Sequence, residues 1–130
     1  MPIYSLRETA EVLAVSVDTV RRWADGGRLA TTADSSGHRG VDGRELAAFA
    51  VASSTPANST PPSGSSIRNR FPGIVTRVVR GDVAAHVEVQ AGPHRFVSLL
   101  TREAVDQLDL QEGDRAIATV KATNVAVEVP

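Results

Sequence analysis

The sequence predicts an α+β chain in which a small helical module is followed by a linker and a small β-rich module. Three observations support this prediction. Apolar residues recur at helical spacing within residues 1–50, a run rich in Ala, Ser, Thr and Pro follows, and strand-like alternation begins near residue 74. A chain of 130 residues has room for one ordinary domain or two very small ones.

Composition narrows the function classes. The chain has no cysteine and only three histidines, which removes disulfides and the usual zinc-site spacings. Its formal net charge is −1, so any contact with DNA must come from a local basic patch. No apolar run approaches the roughly 18 residues of a membrane span and no secretory leader follows Met1, so we expect a cytoplasmic protein without a membrane partner. No nucleophile–base pair or carboxylate pair stands out, so we expect no enzyme, no catalytic residues and no metal-ion site.

The first helix is predicted at Leu6 to Leu13. Leu6, Ala10 and Leu13 share one helical face, and Ser5 with Glu8 three residues later forms a capping box at its start. A tight turn follows this helix. The pattern is the first half of a helix-turn-helix.

The second helix begins after Ser16, which caps it, and ends at Asp25-Gly26-Gly27. Val17, Val20 and Trp23 form its apolar edge, which we expect to face the first helix. Trp23 is therefore predicted to be a core residue rather than a ligand-binding one.

The segment from Leu29 to Val41 is rich in Gly, Ser and Thr around His38 and Arg39, which predicts two short strands and a turn, in other words a wing. Asp42 then caps a last short helix. In this helix Leu46 and Phe49 are expected to turn inward and complete a small core with Trp23 and Leu29.

Several motifs of this half resemble the winged DNA-binding domain of the MerR superfamily, in the compact form of BldC-like and excisionase-like proteins. They are the octapeptide from Val17 to Ala24, the tripeptide Gly27-Arg28-Leu29, and Gly37-His38-Arg39 in the wing. The resemblance implies a DNA-binding domain over residues 1–50. The side chains expected to face DNA are Ser16, Asp18, Thr19, Arg21, Arg22, His38 and Arg39.

The chain departs from that family in its charge. Gly40 and Val41 stand where the wing usually has a second basic residue and an aromatic one, and residues 1–50 hold six arginines against seven acidic residues. Non-specific DNA affinity follows phosphate neutralisation, so a single copy is expected to bind DNA weakly. The alternative is a helix-turn-helix that contacts only protein.

Residues 51–65 are dominated by Ala, Ser, Thr and Pro and carry no charge. Such a segment cannot bury enough apolar surface to order itself, so it is predicted to be a flexible linker.

Residues 66–130 read as an OB-like five-stranded β-barrel with one short helix. The helix is expected to be capped by Thr101 and to bury Ala104, Val105 and Leu108. Alternating apolar and polar residues, separated by Gly-rich turns, place the five strands at Ile74 to Arg80, Val83 to Gln90, His94 to Leu100, Arg115 to Lys121, and Val125 to Val129.

Three donors stand together where this module begins. Ser66 offers a hydroxyl, Arg68 a guanidinium and Asn69 an amide, a combination that suits an oxyanion. On its own the cluster is also compatible with an ordinary surface turn.

The second half as a whole resembles a Mop domain, the molybdate-binding TOBE module of molbindins and molybdate-responsive regulators. The likeness is carried by Ser66-Ile67-Arg68-Asn69, Leu100 to Glu103, Leu108 to Asp114, and Val120 to Val125. It implies a molybdate or tungstate ligand, sites shared between subunits, and a homo-oligomer, either a dimer or a hexamer. Carried over by position, the oxyanion-binding residues are Ser66, Arg68, Asn69, Thr101, Lys121, Ala122 and Thr123.

Ala104 stands where that family has a second hydroxyl in the helix, so one donor is lacking. Sulfate and phosphate offer the same chemistry at a different radius, so the sequence does not decide among oxyanions.

Three functions follow from these two resemblances. The first is a molybdate-sensing, DNA-binding transcriptional regulator. The second is an intracellular molybdenum-binding or storage protein whose N-terminal module recruits partners. The third is an architectural DNA binder whose barrel serves only for oligomerisation.

Overall fold

A computed structural model of the protein describes residues 2–54 and 64–130, and the chain divides into two compact units after Ser54. Most of the predicted linker, residues 55–63, lies outside the described residues. None of the helices in the described part of the chain is both long enough and apolar enough to cross a membrane.

The first unit packs three helices on a small antiparallel sheet with strand order β1-β3-β2. Its elements are β1 (Ile3–Ser5), α1 (Leu6–Leu13), α2 (Val17–Asp25), β2 (Thr32–Ala33), β3 (Arg39–Asp42) and α3 (Gly43–Ala52).

Polar caps set the start of each helix in this unit. The side chains of Ser5, Ser16 and Asp42 accept hydrogen bonds from backbone N–H groups in the first turns of α1, α2 and α3, as the sequence predicts. Trp23 packs in the core, with its ring centroid 5.2 Å from that of Phe49. The buried core consists of Ala10, Val20, Leu29, Val41 and Leu46.

Two features of the first unit differ from the prediction. Ile3–Ser5 forms a strand that pairs with β3, whereas the sequence pattern predicts only helix at the N-terminus. Helix α3 continues to Ala52, two residues into the predicted linker, because Ala and Val in its last turn are compatible with a helix.

The second unit is a curled, four-stranded antiparallel sheet with strand order β6-β5-β4-β7 and one helix. Its curl brings Phe71 of β4 and Phe96 of β6 into a stack with centroids 4.6 Å apart, although these strands are not neighbours in the sheet. The elements are β4 (Asn69–Arg80), β5 (Ala84–Ala91), β6 (His94–Thr101), α4 (Arg102–Leu108), β7 (Arg115–Val120) and a 3₁₀ turn (Ala122–Asn124).

Strand β4 organises this unit because it changes partners near Ile74. Its first half pairs with β7 and its second half with β5, and Ile74 has a partner on both sides. A register shift between Val75 and Arg77 accompanies the change. At Gly73 a Cβ atom would lie 2.3 Å from the carbonyl oxygen of Gln90, so the close passage of β4 past β5 requires glycine.

The prediction of a five-stranded barrel is wrong for the single chain. The apolar and polar residues of 125–129 alternate, but this segment pairs with no strand of the described residues and so forms no strand itself. The first strand begins at Asn69, five residues earlier than predicted.

Candidate functional site

Most of the predicted oxyanion-binding residues lie where β4 begins and β7 ends. Asn69 and Val120 are partners in this ladder, and the Asn69 side-chain amide donates to the carbonyl oxygen of Val120 at 3.1 Å. Arg68 and Lys121 are the next residues outward on the two strands. We call the group the strand-end cluster; its members are Ser66, Arg68, Asn69, Lys121, Ala122 and Thr123.

The backbone of the cluster adds donors to those of the side chains. Lys121 is extended (φ −61°, ψ 141°) and leads into the 3₁₀ turn, in which Asn124 N–H donates to the Lys121 carbonyl at 2.9 Å. The N–H groups of Ala122 and Thr123 come first in this turn, so the hydrogen bonds of the turn itself do not use them. The cluster thus combines two cations, hydroxyls, an amide and main-chain donors.

In the single chain this cluster is open to water. The side chains of Ser66, Arg68 and Lys121 are exposed, and the one hydrogen bond of Arg68 within the described residues goes to the carbonyl oxygen of Ser65 at 3.4 Å. Charges in a high-dielectric setting attract an anion only weakly. By itself, the cluster of one chain would therefore hold an anion only weakly.

Thr101 lies at the other end of the sheet. Its partner across the β5–β6 ladder is Ala84, next to the C-terminal end of β4, whereas the strand-end cluster is at the N-terminal end of that 12-residue strand. Fully extended, β4 would span roughly 36 Å. Within one chain, Thr101 and the strand-end cluster do not form a common site.

Thr101 caps helix α4. Its hydroxyl oxygen accepts from the backbone N–H of Ala104 at 3.1 Å, which leaves the hydroxyl proton available to another acceptor. A groove beside it is lined by the three carboxylates of Asp82, Glu103 and Asp106 and by Arg102, which is paired with Asp106 at 3.1 Å. These carboxylates disfavour an oxyanion held at this end by the helix start alone.

Most of the predicted DNA-facing residues lie at the start of helix α2 or on it, and several of them already make hydrogen bonds or ion pairs with one another. The Ser16 hydroxyl accepts from the Thr19 N–H at 3.1 Å and lies 2.8 Å from the Thr19 hydroxyl, so both side chains stabilise the helix start. Arg21 lies 3.6 Å from the carboxylate of Asp18, with both groups largely exposed. Arg22 is exposed and has no ion pair within the described residues.

Arg39 of the wing forms an ion pair that the sequence did not predict. The Arg39 guanidinium lies 2.8 Å from Asp25 at the end of α2, and its Nε donates to the Thr31 hydroxyl at 3.5 Å. His38 is exposed beside Asp34, whose pKa is held below its ordinary value chiefly by the hydrogen bond from the His38 backbone N–H. The Asp25 carboxylate therefore partly compensates the charge of Arg39.

A second unpredicted contact involves Arg28. Its guanidinium lies 5.3 Å from the ring centroid of Trp23 and 5.9 Å from that of Phe49. Such cation–π contacts join the segment after α2 to the core. An arginine five residues after a core tryptophan is the only signal in the sequence, and it is weak.

Comparison with known proteins places the second unit in a family. Residues 65–127 match the TOBE domain family. The chain is 43% identical over 65 residues to a molybdenum import ATP-binding protein, ModC, of Brucella abortus; the match covers 49% of this chain and 18% of that protein. The chain therefore spans less than a fifth of the length of that relative.

Smaller proteins match over nearly their whole length. Molybdenum-pterin-binding protein 2 of Clostridium pasteurianum is 33% identical over 63 residues, which cover 48% of this chain and 93% of that protein. Among solved structures, a molybdate-binding protein from Sporomusa ovata is 34% identical, with 50% of this chain and 97% of that chain covered and a TM-score of 0.49. The Clostridium pasteurianum protein is named for binding and not for a reaction, which agrees with the prediction of a non-enzymatic chain.

Proposed function

This chain belongs to the TOBE domain family through residues 65–127, and on that basis we propose that it is a molybdate-responsive transcriptional regulator. In this proposal the second unit binds the oxyanion and the first unit binds DNA. The observation that carries it is the strand-end cluster, which falls inside the segment shared with relatives named for molybdenum or molybdate.

The donors of the cluster fit a tetrahedral dianion. Arg68 and Lys121 supply two positive charges, which match the charge of molybdate or of tungstate. Ser66, the amide of Asn69 and the first N–H groups of the 3₁₀ turn can fill the remaining positions around four oxygens. Molybdate is here the ligand that the regulator senses.

The separation of Thr101 from the cluster supports a site shared between copies of the chain. Each chain has a cluster of donors at one end of β4 and a hydroxyl donor at the other. We propose that Thr101 of a second copy completes the shell, within a dimer or a hexamer. Bringing the two parts together also removes water, which strengthens every donor in the site.

For the first unit, exposed cations on α2 and the wing support DNA binding. Arg22 on the surface of α2 is available to base edges or phosphates, and His38 with Arg39 can hold the backbone from the wing. A regulator of this kind acts in the cytoplasm, where the oxyanion and the DNA are both present, and it needs no membrane partner.

One observation favours a second candidate, a molybdenum-storage protein whose first unit only recruits protein partners. Residues 1–50 carry more acidic than basic side chains, and Asp25 already pairs with Arg39. Both features lower the affinity for phosphates.

Calorimetry with molybdate tests the oxyanion site. Arg68→Ala and Lys121→Ala should each weaken binding by about 1.5–3 kcal/mol, which is more than tenfold, because each removes a charged donor. Arg115→Ala is the matched control, since it removes the same charge from the far end of β7. Equal affinities for all three variants would exclude the strand-end cluster as the site.

Binding of operator-length DNA with and without molybdate separates the two functions. A regulator should bind one DNA sequence in preference to random DNA, and molybdate should change that affinity. A protein that takes up molybdate but shows no DNA binding at physiological salt would be the storage protein.

A further inference from the structure

The second unit separates its charges between the two faces of its sheet. Helix α4 covers one face, where its Val105 is buried in the core. Six carboxylates lie on this helix, on the turn beside it and in the loop that follows it: Asp82, Glu103, Asp106, Asp109, Glu112 and Asp114. The opposite face, which we call the outer face, carries mainly arginine.

The strand register shows which residues lie on the outer face. Glu88 and Gln90 alternate with the core side chains of β5, so they point away from the core. Residues directly opposite each other in a ladder share a face. Arg77 of β4 is the partner of Glu88, and it therefore lies on the outer face. Arg95 of β6 is the partner of Gln90 and lies there too.

Strands β4 and β7 add two more arginines to this face. Ile74 is the other partner of Gln90, and Ile74 is itself paired with Arg115 of β7. Phe71 stacks on Phe96 at the core side, so the preceding residue of β4, Arg70, points outward. We call the four cations the outer arginines; they are Arg70, Arg77, Arg95 and Arg115.

Three of the outer arginines are not compensated by an acidic group. Arg70, Arg77 and Arg115 make no ion pair and no side-chain hydrogen bond within the described residues. Arg95 contacts the carboxylate of Glu88, which is the only acidic residue in the four strands. The outer face therefore has an excess of positive charge, although the chain as a whole has a formal net charge of −1.

The spacing of the outer arginines suits a nucleic-acid duplex. Arg95 and Arg115 lie on the two edge strands, at the ends of one row across the sheet. Neighbouring strands are about 4.8 Å apart, so this row spans roughly 14 Å. The major groove of DNA is about 12 Å wide, so cations at the two ends of the row can contact phosphates of both DNA strands. Guanidinium groups match phosphate oxygens in geometry as well as in charge.

The charge of the first unit supplies the reason for such a contact. Residues 1–50 hold more acidic than basic side chains, so they neutralise few phosphates by themselves. We propose that the outer arginines bind the phosphate backbone of the DNA that the first unit contacts. The inference rests on the proposed function for its ligand, DNA, and deepens it: the first unit reads the sequence, and the second unit adds affinity that is independent of sequence. Because both units belong to one chain, either contact raises the effective concentration of the other.

The salt dependence of DNA binding by the full chain tests the proposal. Each phosphate contact contributes about 0.9 to the slope of log affinity against log salt concentration. The double variant Arg77→Ala/Arg115→Ala should therefore have a slope smaller by about 1.8, with the same loss of affinity on operator and random DNA. The single variant Arg115→Ala should lose about half as much slope. An unchanged slope in both variants overturns the proposal.

Two further variants separate a local contact from net charge and from misfolding. Arg77→Lys/Arg115→Lys keeps both charges and should keep the wild-type slope. Arg7→Ala/Arg44→Ala removes the same charge from exposed positions on α1 and α3, outside the predicted DNA-facing residues, and should also keep it. A slope that falls equally in the Arg7 and Arg44 variant would assign the effect to net charge and contradict the proposal.

The same measurements keep this inference apart from the proposed function. A protein that prefers its operator to random DNA, with a slope that the double variant does not change, overturns the inference and leaves the regulator. A protein that binds all DNA sequences alike, with a slope that falls in the double variant, supports the inference and overturns the regulator. Light scattering covers the remaining partner: if the double variant changes the oligomeric state and not the slope, the outer face contacts the acidic side of another copy, which overturns the proposal.

Discussion

At the scale of single residues, the core of the first unit contains a hydroxyl group without a hydrogen-bond partner. Thr9 is fully buried, and its Oγ1 makes no hydrogen bond within the described residues. A buried polar group left in this state costs about 1–3 kcal/mol. Valine has nearly the same shape and carries no such group.

We therefore expect Thr9→Val to stabilise the first unit by about 1 kcal/mol, which raises its melting temperature by roughly 4–8 °C. Trp23 is the single tryptophan of the chain, so its fluorescence reports the unfolding of this unit. Thr9→Ala is the control, because it removes the hydroxyl but leaves a small cavity and should give no such gain. A lower melting temperature for the valine variant would mean that the hydroxyl has a partner after all.

The ion pair between Asp25 and Arg39 leads to a prediction about the affinity of the first unit for DNA. If the wing binds phosphate through Arg39, then Asp25→Asn frees that guanidinium and should tighten DNA binding about two- to fivefold, in line with the small free energy of an exposed pair. Glu11→Gln removes the same charge from exposed α1 without touching Arg39 and should change affinity less. Anisotropy at fixed salt measures both, and equal effects would assign the gain to net charge alone.

Residue roles were predictable where they depend on neighbours in sequence. The caps at Ser5, Ser16 and Thr101 each accept from a backbone N–H three residues later and are confirmed. The pair of Arg39 with Asp25 spans 14 positions and depends on how the wing folds against α2, so no local pattern indicates it. The roles of the predicted oxyanion-binding and DNA-facing residues remain proposals.

At the scale of elements, local periodicity predicts the helices better than the strands. Helix α1 has the predicted bounds, because its caps and apolar spacing lie within one segment. Strand β1 has three residues and owes its existence to β3, far along the chain. The first half of β4 contains Pro72 and Gly73, which argue against a strand, yet this half pairs with β7. Gly73 is needed here because β4 also passes close to Gln90 of β5 at this position.

That glycine should be intolerant of substitution. In Gly73→Ala the new Cβ would meet the carbonyl oxygen of Gln90 at 2.3 Å, so the β4–β5 ladder must shift, and we expect a loss of about 2 kcal/mol or more. Gly113→Ala is the comparison, since Gly113 has φ +92° but no atom within 4 Å of an added Cβ, so it should lose only about 1 kcal/mol through backbone strain. Urea unfolding followed by circular dichroism ranks the two; a smaller loss at Gly73 would contradict the steric account.

At the scale of the whole molecule, the proposed function requires that molybdate binding in the second unit change DNA binding by the first unit. The prediction of a flexible linker concerns mainly residues 55–63, which lie outside the described residues. A flexible linker of this kind transmits no torque, so coupling between the units has to act through assembly. If molybdate stabilises one oligomer of the second unit, it sets how many first units are held together, and with that their effective concentration on DNA.

This mechanism makes a quantitative prediction about linkage. A typical coupling free energy of about 1–3 kcal/mol would change operator affinity some five- to 150-fold when molybdate binds, and DNA must change molybdate affinity by the same factor. Anisotropy across a molybdate series gives the first factor, and calorimetry with and without operator DNA gives the second. The variant Arg68→Ala is the control, because a chain that binds molybdate weakly should show little change in operator affinity over the same molybdate series. Operator affinity that stays constant while molybdate occupies its sites would leave the storage function as the better account.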